Sequence, residues 1–263
     1  MSPYVVEFET QDSIGIIRLN RPEAGNTVNE AVIERLEAII EQLDSNQNIS
    51  VLILTGAGSN TFCAGGDFKY FATLNTRERG LEMSRRMQAI LNRFWSGPQV
   101  VIAAINGKAL GGGCEVLTAC HFRIAARTAT FAFVQAANGI TTGWGGGARL
   151  FHLLGRSAAL RLLLTAETID ATEAQRIGFI NTLTEPDGVM NAALDLAKRI
   201  CRNSRKSLRA FLELADLNYL GERDKAIDRE TEIFADRWIG DEFQQVMAEF
   251  HNSRASRKDD QNR

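Results

Sequence analysis

Hydrophobic and polar positions change period several times along this 263-residue chain. Residues 4–10 and 14–20 are rich in β-branched side chains and flank Gln11-Asp12-Ser13, predicting an opening hairpin followed by the loop Arg21-Pro22-Glu23-Ala24-Gly25. After Asn29, a good N-cap, Val32, Leu36, Ile39, Ile40 and Leu43 recur at helical spacing, which predicts a helix with one buried stripe and an acidic side toward water. Val51-Leu52-Ile53-Leu54-Thr55 is an unbroken apolar run ended by Gly56, the pattern of a strand covered on both faces. A helical segment over 80–95 stops before Pro98, and Val100-Val101-Ile102-Ala103-Ala104-Ile105 repeats the apolar-strand pattern before Gly107 and Gly111-Gly112-Gly113. Short strands over 122–125 and 129–133 precede a second glycine run, Gly143-Trp144-Gly145-Gly146-Gly147, and an apolar helix over 148–154. Asp170-Ala171-Thr172-Glu173 has capping-box spacing, and Gly178 can close the short helix it starts.

Beyond residue 188 the pattern is helical only, with segments over 189–202, 207–219, 224–238 and 241–250. The chain thus divides into an α/β body (1–187), a helical region (188–253) and a polar tail (254–263). No low-complexity linker separates body from helices, so the helices are expected to pack on the body or on a neighbouring subunit. A composition of 44% hydrophobic and 24% charged residues excludes disordered and collagen-like chains, and no stretch reaches the ~18 apolar residues of a membrane span. Thirty basic against 32 acidic side chains supply no broad positive field, so neither nucleic acid nor a membrane surface is expected as a partner. Met1-Ser2-Pro3-Tyr4 opens no secretion signal, and a soluble cytoplasmic protein is expected. Cys63, Cys114, Cys120 and Cys201 lack both a C-x-x-C pair and ligand spacing with His121, His152 or His251, so reduced thiols and no metal site are expected.

Phe62-Cys63-Ala64-Gly65-Gly66-Asp67-Phe68 follows a buried strand, and its adjacent glycines leave backbone N–H groups open to a ligand. The same residues also read as a plain turn with Asp67 as N-cap. Ala109-Leu110-Gly111-Gly112-Gly113-Cys114-Glu115 places three glycines at the start of an apolar helix, where free N–H groups favour negative charge. Glu115, in the first helical turn, reads either as dipole complementation or as a catalytic carboxylate. Together the two turns are what a site needs to hold one developing oxyanion from two directions with a carboxylate near enough to move a proton.

These two segments, with Asn20-Arg21-Pro22, Thr118-Ala119-Cys120-His121-Phe122-Arg123-Ile124-Ala125, Gly143-Trp144-Gly145-Gly146 and Ile169-Asp170-Ala171-Thr172-Glu173-Ala174, resemble the crotonase (enoyl-CoA hydratase/isomerase) superfamily over nearly the whole chain. The resemblance implies a spiral of ββα units, a C-terminal helical trimerisation region, and a homotrimer or dimer of trimers. It implies an acyl-CoA ligand with no separate cofactor, coenzyme A entering as part of the substrate. It also implies an oxyanion hole of the Gly66 and Gly112 N–H groups with Glu115 as the proton carrier, and a coenzyme A adenine held around Ala24, Ala64, Gly66, Asp67 and Phe68. In similar proteins the first loop often carries a basic residue where this chain reads Glu23-Ala24-Gly25, which leaves Lys69 or other groups for the phosphates.

The departure from the family pattern is at its second acid. Hydratases of the family use two glutamates, and the second aligns with Gln135, which cannot exchange a proton at neutral pH. The turn Thr141-Thr142-Gly143-Trp144 supplies no replacement acid. The expected reaction is therefore decarboxylation of a short malonyl-type acyl-CoA, nearest to the ethylmalonyl-CoA decarboxylase branch, with burial favouring a protonated Glu115. The alternatives are a short-chain enoyl-CoA hydratase or isomerase, and a non-catalytic acyl-CoA or RNA binder. For the latter the nearest basic stretch, 202–209, reads as a solvated helical face. Gln135 and Trp144 join the substrate-binding set, although Trp144 either lines the acyl pocket or fills a packing gap; Tyr70 and Phe71 cover the acyl chain or belong to the core. His121 and His152 lie in apolar tracts and read as packing residues.

Overall fold

The computed structural model describes residues 4–46 and 48–217 and, toward the C-terminus, residues 231, 234–236, 238–241, 243–245, 247–250 and 252. In chain order the elements are β1 (Val6–Gln11), β2 (Ile14–Leu19), α1 (Glu30–Ser45), β3 (Val51–Gly56), β4 (Thr61–Cys63), α2 (Phe68–Phe71), α3 (Arg77–Ser96), β5 (Val100–Ile105), β6 (Lys108–Leu110), α4 (Gly112–Thr118), β7 (Phe122–Ala126), β8 (Thr130–Ala132), α5 (Gly146–Thr165), β9 (Ile169–Asp170), α6 (Ala171–Arg176), β10 (Thr182–Thr184), α7 (Val189–Cys201) and α8 (Arg205–Leu217). A larger sheet has the order β1-β2-β3-β5-β7-β10 and a smaller one the order β4-β6-β8-β9. From β3 to β8, successive strands alternate between the two sheets, so each turn of the chain adds one strand to each before a helix returns it. That alternation is the ββα spiral expected above.

All neighbours in both sheets are parallel except the β1–β2 and β8–β9 pairs. Parallel strands are covered on both faces, which is why β3 and β5 are buried at every position and read as continuous apolar runs. The helix boundaries follow local hydrogen bonding. Asn29 caps α1 by accepting from the Val32 N–H at 3.1 Å, and the buried stripe includes Ile33 while Ile40 is only half-buried. Helix α3 begins earlier than residue 80 because Thr76 accepts from the Arg79 N–H. The apolar segment 148–154 is the first part of the longer α5, which breaks at Gly155 (φ 72°, ψ 170°) and continues to Thr165. Asp170 caps α6, but Glu173 gives its carboxylate to Arg161 and Arg176.

Helix α7 packs against β3, β5 and β7 of the larger sheet. Arg205 of α8 donates to the Ser50 hydroxyl at 3.0 Å and to the Asn48 carbonyl, so the 202–209 stretch is tied to the body at that residue. Among the described C-terminal residues, Trp238 is fully buried, donates its indole N–H to the Leu74 carbonyl and sits edge-on to Phe71 at 4.7 Å. Most of the expected helix over 224–238, and the tail 254–263, lie outside the described residues. No helix of the described residues is long and apolar enough to cross a membrane.

Candidate active site

Strands β4, β6 and β8 are parallel neighbours, with Cys63 beside Ala109 and Leu110 beside Ala132. Their C-terminal ends therefore open on one edge, and each delivers a different part of the predicted site: Gly65-Gly66 after β4, Gly111-Gly112 with Glu115 after β6, and Gln135 after β8. Ligands gather at such strand ends because the chain must turn there and expose its backbone. Gly65 (φ 93°) and Gly111 (φ 52°) make the two turns in a backbone region that side chains disfavour. The turns touch, since a Cβ on Gly113 would lie 2.0 Å from the Cys63 carbonyl oxygen. Cys63 Sγ accepts from the Gly65 N–H and Cys114 Sγ donates to the Ala109 carbonyl, so two of the thiols brace these turns. Burial pushes the Cys63 thiol up to about 12, which keeps it neutral.

Local hydrogen bonding explains why two N–H groups here lack a protein acceptor. Gly66 forms a parallel bridge with Val28 that uses the Gly65 carbonyl and the Asp67 N–H, both at 2.8 Å, and so turns the Gly66 N–H itself away. Gly112 is the first residue of α4, where an N–H has no intrahelical acceptor. Among the described residues, neither group hydrogen-bonds to protein. Two such donors on abutting turns can serve one anionic oxygen.

Glu115 is 3% exposed, and its carboxylate is surrounded by donors. Oε1 accepts from Gln135 Nε2 at 3.0 Å and from the Gly143 N–H at 3.4 Å; Oε2 accepts from Trp144 N–H at 2.7 Å and Gly146 N–H at 3.0 Å. Four N–H donors on two oxygens complement a carboxylate and oppose a protonated acid. The expectation that burial keeps Glu115 protonated is corrected on that ground. The amide of Gln135 is oriented by its neighbour, because an ionised carboxyl can only accept. Gln135 Oε1 is then left buried without a hydrogen-bond partner, a group that calls for a donor from whatever binds beside Glu115.

The remaining predicted residues fall into three places. Ala64 donates its N–H to the Gly25 carbonyl at 2.9 Å, which brings Ala64 beside the loop carrying Ala24. Phe68 is half-buried and meets Phe250 edge-on at 5.2 Å, while Lys69 is exposed. Trp144 is buried, donates to Met83 Sδ, and packs so closely on Gly112 that a Cβ there would lie 2.3 Å from its ring. Phe71 is core, and Tyr70 donates its hydroxyl to Glu30, which Arg86 also holds. His121 accepts from the Val101 N–H at 2.9 Å, and burial, with Arg123 nearby, pushes it down to about 4, a neutral packing residue. His152, in contrast, is exposed and lies edge-on to Trp95.

Asp67 combines its two sequence readings, since it caps α2 through the Lys69 N–H at 2.9 Å and pairs with Arg21 at 2.8 Å. Arg21 also donates to the Thr27 carbonyl, so the pair ties the first loop to the Gly66 turn. Burial would raise the Asp67 pKa, but hydrogen bonds from Arg21 and from the Lys69 and Tyr70 N–H groups outweigh it and hold the carboxyl below its usual range. Such a group stabilises the fold above the ordinary aspartate value, and the contribution is lost as pH falls through the lowered one. Asp67→Ala is expected to cost ~1–2 kcal/mol near neutral pH in a denaturant titration, and the difference from wild type should shrink in acid.

Sequence reasoning gave no role to Arg21, although it lies in a segment that carries the resemblance, and missed Ser84 and Gln88, which fasten the Gly143 turn from outside the motifs. Their signal was faint: Ser84 and Gln88 are polar positions four apart on the buried face of α3, which a hydropathy pattern assigns to solvent.

The model of the enoyl-CoA hydratase/isomerase family matches residues 9–261. The short-chain-enoyl-CoA hydratase of Clostridium acetobutylicum is 32% identical over 95% of this chain and 95% of its own. The ethylmalonyl-CoA decarboxylase of Xenopus laevis is 33% identical over 88% of this chain and 78% of its own. Among solved structures, the enoyl-CoA hydratase of Bacillus anthracis aligns with a TM-score of 0.79 at 31% identity, covering 89% of this chain and 90% of that one. The match across nearly the full length, joined to the alternating two-sheet spiral, means that the chain belongs to the enoyl-CoA hydratase/isomerase family and is a crotonase-superfamily enzyme.

Proposed function

We propose that the protein hydrates a short-chain 2-enoyl-CoA thioester, with Glu115 carrying the proton in both directions. The observation that carries this reading is the carboxylate of Glu115, held by four N–H donors next to the two free N–H groups of Gly66 and Gly112. The thioester oxygen accepts from both glycine N–H groups. A water lying beside both Glu115 and Gln135 gives one proton to Glu115 as its oxygen bonds to the β-carbon, and the carbonyl becomes an enolate held at the two N–H groups. The carboxyl then returns that proton to the α-carbon, which restores Glu115 and leaves a 3-hydroxyacyl thioester. Oε1 suits this exchange better than Oε2, because its bond from the Gly143 N–H is the longest of the four at 3.4 Å. The unpaired Gln135 Oε1 takes the second O–H of the water, so an amide suffices where a relative has an acid.

Decarboxylation, the first expectation from the sequence, is supported by Gln135 and by the similarity to the Xenopus decarboxylase. Against it, a malonyl-type substrate brings a second carboxylate toward the charged Glu115, a repulsion of about 4 kcal/mol at ~4 Å in a partly screened site. The hydratase relative also matches over more of both chains. Incubated with crotonyl-CoA, the full-length protein should form 3-hydroxybutyryl-CoA, and with ethylmalonyl-CoA it should release no CO₂. Release of CO₂ without hydration would install the decarboxylase reading, and neither activity would favour a non-catalytic binder. The reading includes assembly as a homotrimer or dimer of trimers through the C-terminal helical region, and a cytoplasmic location.

A further inference from the structure

A short hydrogen bond to Glu115 comes from one end of a peptide group whose other end is also held. The N–H of the Gly143–Trp144 peptide donates to Glu115 Oε2 at 2.7 Å. The carbonyl of the same peptide accepts from the Ser84 hydroxyl and from Gln88 Nε2, the latter at 3.0 Å. Both side chains are buried and lie one helical turn apart on α3. Gln88 Nε2 also donates to the Thr231 hydroxyl, itself buried, in the C-terminal segment. A hydrogen bond accepted by a carbonyl polarises its amide and strengthens the N–H as a donor, and two donors on one carbonyl also fix the plane of the peptide. Neither Ser84 nor Gln88 belongs to the glycine motifs, and buried polar groups on an otherwise apolar helix face carry a desolvation cost that their partners must offset.

The geometry points to Ser84 and Gln88 as positioning residues for Glu115, acting through the Gly143–Trp144 peptide, with Thr231 setting Gln88 from the C-terminal segment. The inference rests on Glu115 being the base of the proposed hydration. Its consequence is that α3 and the C-terminal segment help to hold Glu115 as a carboxylate through the Gly143–Trp144 peptide. Loss of the two donors weakens the N–H bond to Oε2, disfavours the charged form, and moves the acid limb of the kcat/KM profile to higher pH. Cys114 lies beside Glu115 and beside Cys63, and the guanidinium of Arg149 donates to the Trp144 carbonyl and the Thr118 hydroxyl. Burial pushes both thiols up, and the guanidinium stays charged, so the acid limb reports Glu115.

The test measures kcat, KM and the pH profile of crotonyl-CoA hydration for Ser84→Ala, Ser84→Thr, Gln88→Met and Thr231→Val in the full chain, with thermal unfolding as the control for folding. Ser84→Ala and Gln88→Met should each lower kcat about fivefold to tenfold with KM little changed. They should raise the acid limb on the order of half a pH unit. Ser84→Thr, which keeps the hydroxyl, should restore both, and Thr231→Val should shift them in the same direction by less. Folded Ser84→Ala and Gln88→Met proteins with an unmoved acid limb overturn the inference even if their melting temperatures fall. Should Ser84→Ala not fold, Gln88→Met and Thr231→Val give the same readout. The base reading fails separately, if Glu115→Gln retains hydration.

Discussion

Glu115→Gln is expected to lower kcat for hydration about a thousandfold while leaving a folded protein. The side chain keeps its shape, so the bonds from the Trp144 and Gly146 N–H groups can persist on the remaining oxygen. The new NH₂ replaces Oε1, where Gln135 Nε2 now donates. Two donors would then face each other, but rotation of the Gln135 amide presents its otherwise unpaired Oε1 and removes the conflict. Of the four donors described, the Gly143 N–H, already long at 3.4 Å, is the one that loses its acceptor. The variant therefore separates chemistry from folding. Circular dichroism and melting near wild type, with single-turnover rates reduced about a thousandfold, is the expected result; activity within tenfold of wild type would remove Glu115 from the reaction.

Gly112→Ala should lower kcat/KM about a hundredfold through displacement of a backbone donor whose N–H survives the substitution. The added methyl would lie 2.3 Å from Cζ3 and 2.5 Å from Cη2 of Trp144. That ring is buried, and its own backbone N–H holds Glu115, so moving it disturbs the carboxylate as well. Either the ring yields or the start of α4 moves away from the Gly66 turn, and the second outcome separates the two donors. The double variant Gly112→Ala with Trp144→Leu makes room for the methyl and should recover at least tenfold of the loss, a coupling that independent sites do not show. Wild-type rates in Gly112→Ala alone would mean that the Gly112 N–H does not meet the thioester.

Much of the architecture was legible because the larger sheet is parallel. Val51 to Thr55 and Val100 to Ile105 are covered on both faces, so their apolar runs read directly as strands. Strands β4, β6 and β9 were not legible, since two or three residues are too few to display a period. Yet these short strands gather the site, by setting Cys63 beside Ala109 and hence the two glycine turns side by side. Motif residues Gly66, Gly112 and Glu115 could be named from their own segments, but the freedom of the Gly66 N–H depends on a bridge to Val28, thirty-eight positions away in sequence. The charge state of Glu115 was misread for a similar reason. Burial is visible in an apolar stretch, whereas the donors at Gln135, Gly143, Trp144 and Gly146 come from another part of the chain.

Of those four donors, three are main-chain groups and only the one at position 135 is a side chain. A substitution keeps the peptide N–H unless the newcomer is proline, but a side chain at Gly143 or Gly146 would collide with Phe234 at 2.4 Å or with Glu115 itself at 2.3 Å and displace it. The residue at 135 is thus the position where one donor to Glu115 can change with the three main-chain groups left as they are, and a descendant of this chain with a different reaction would enter there.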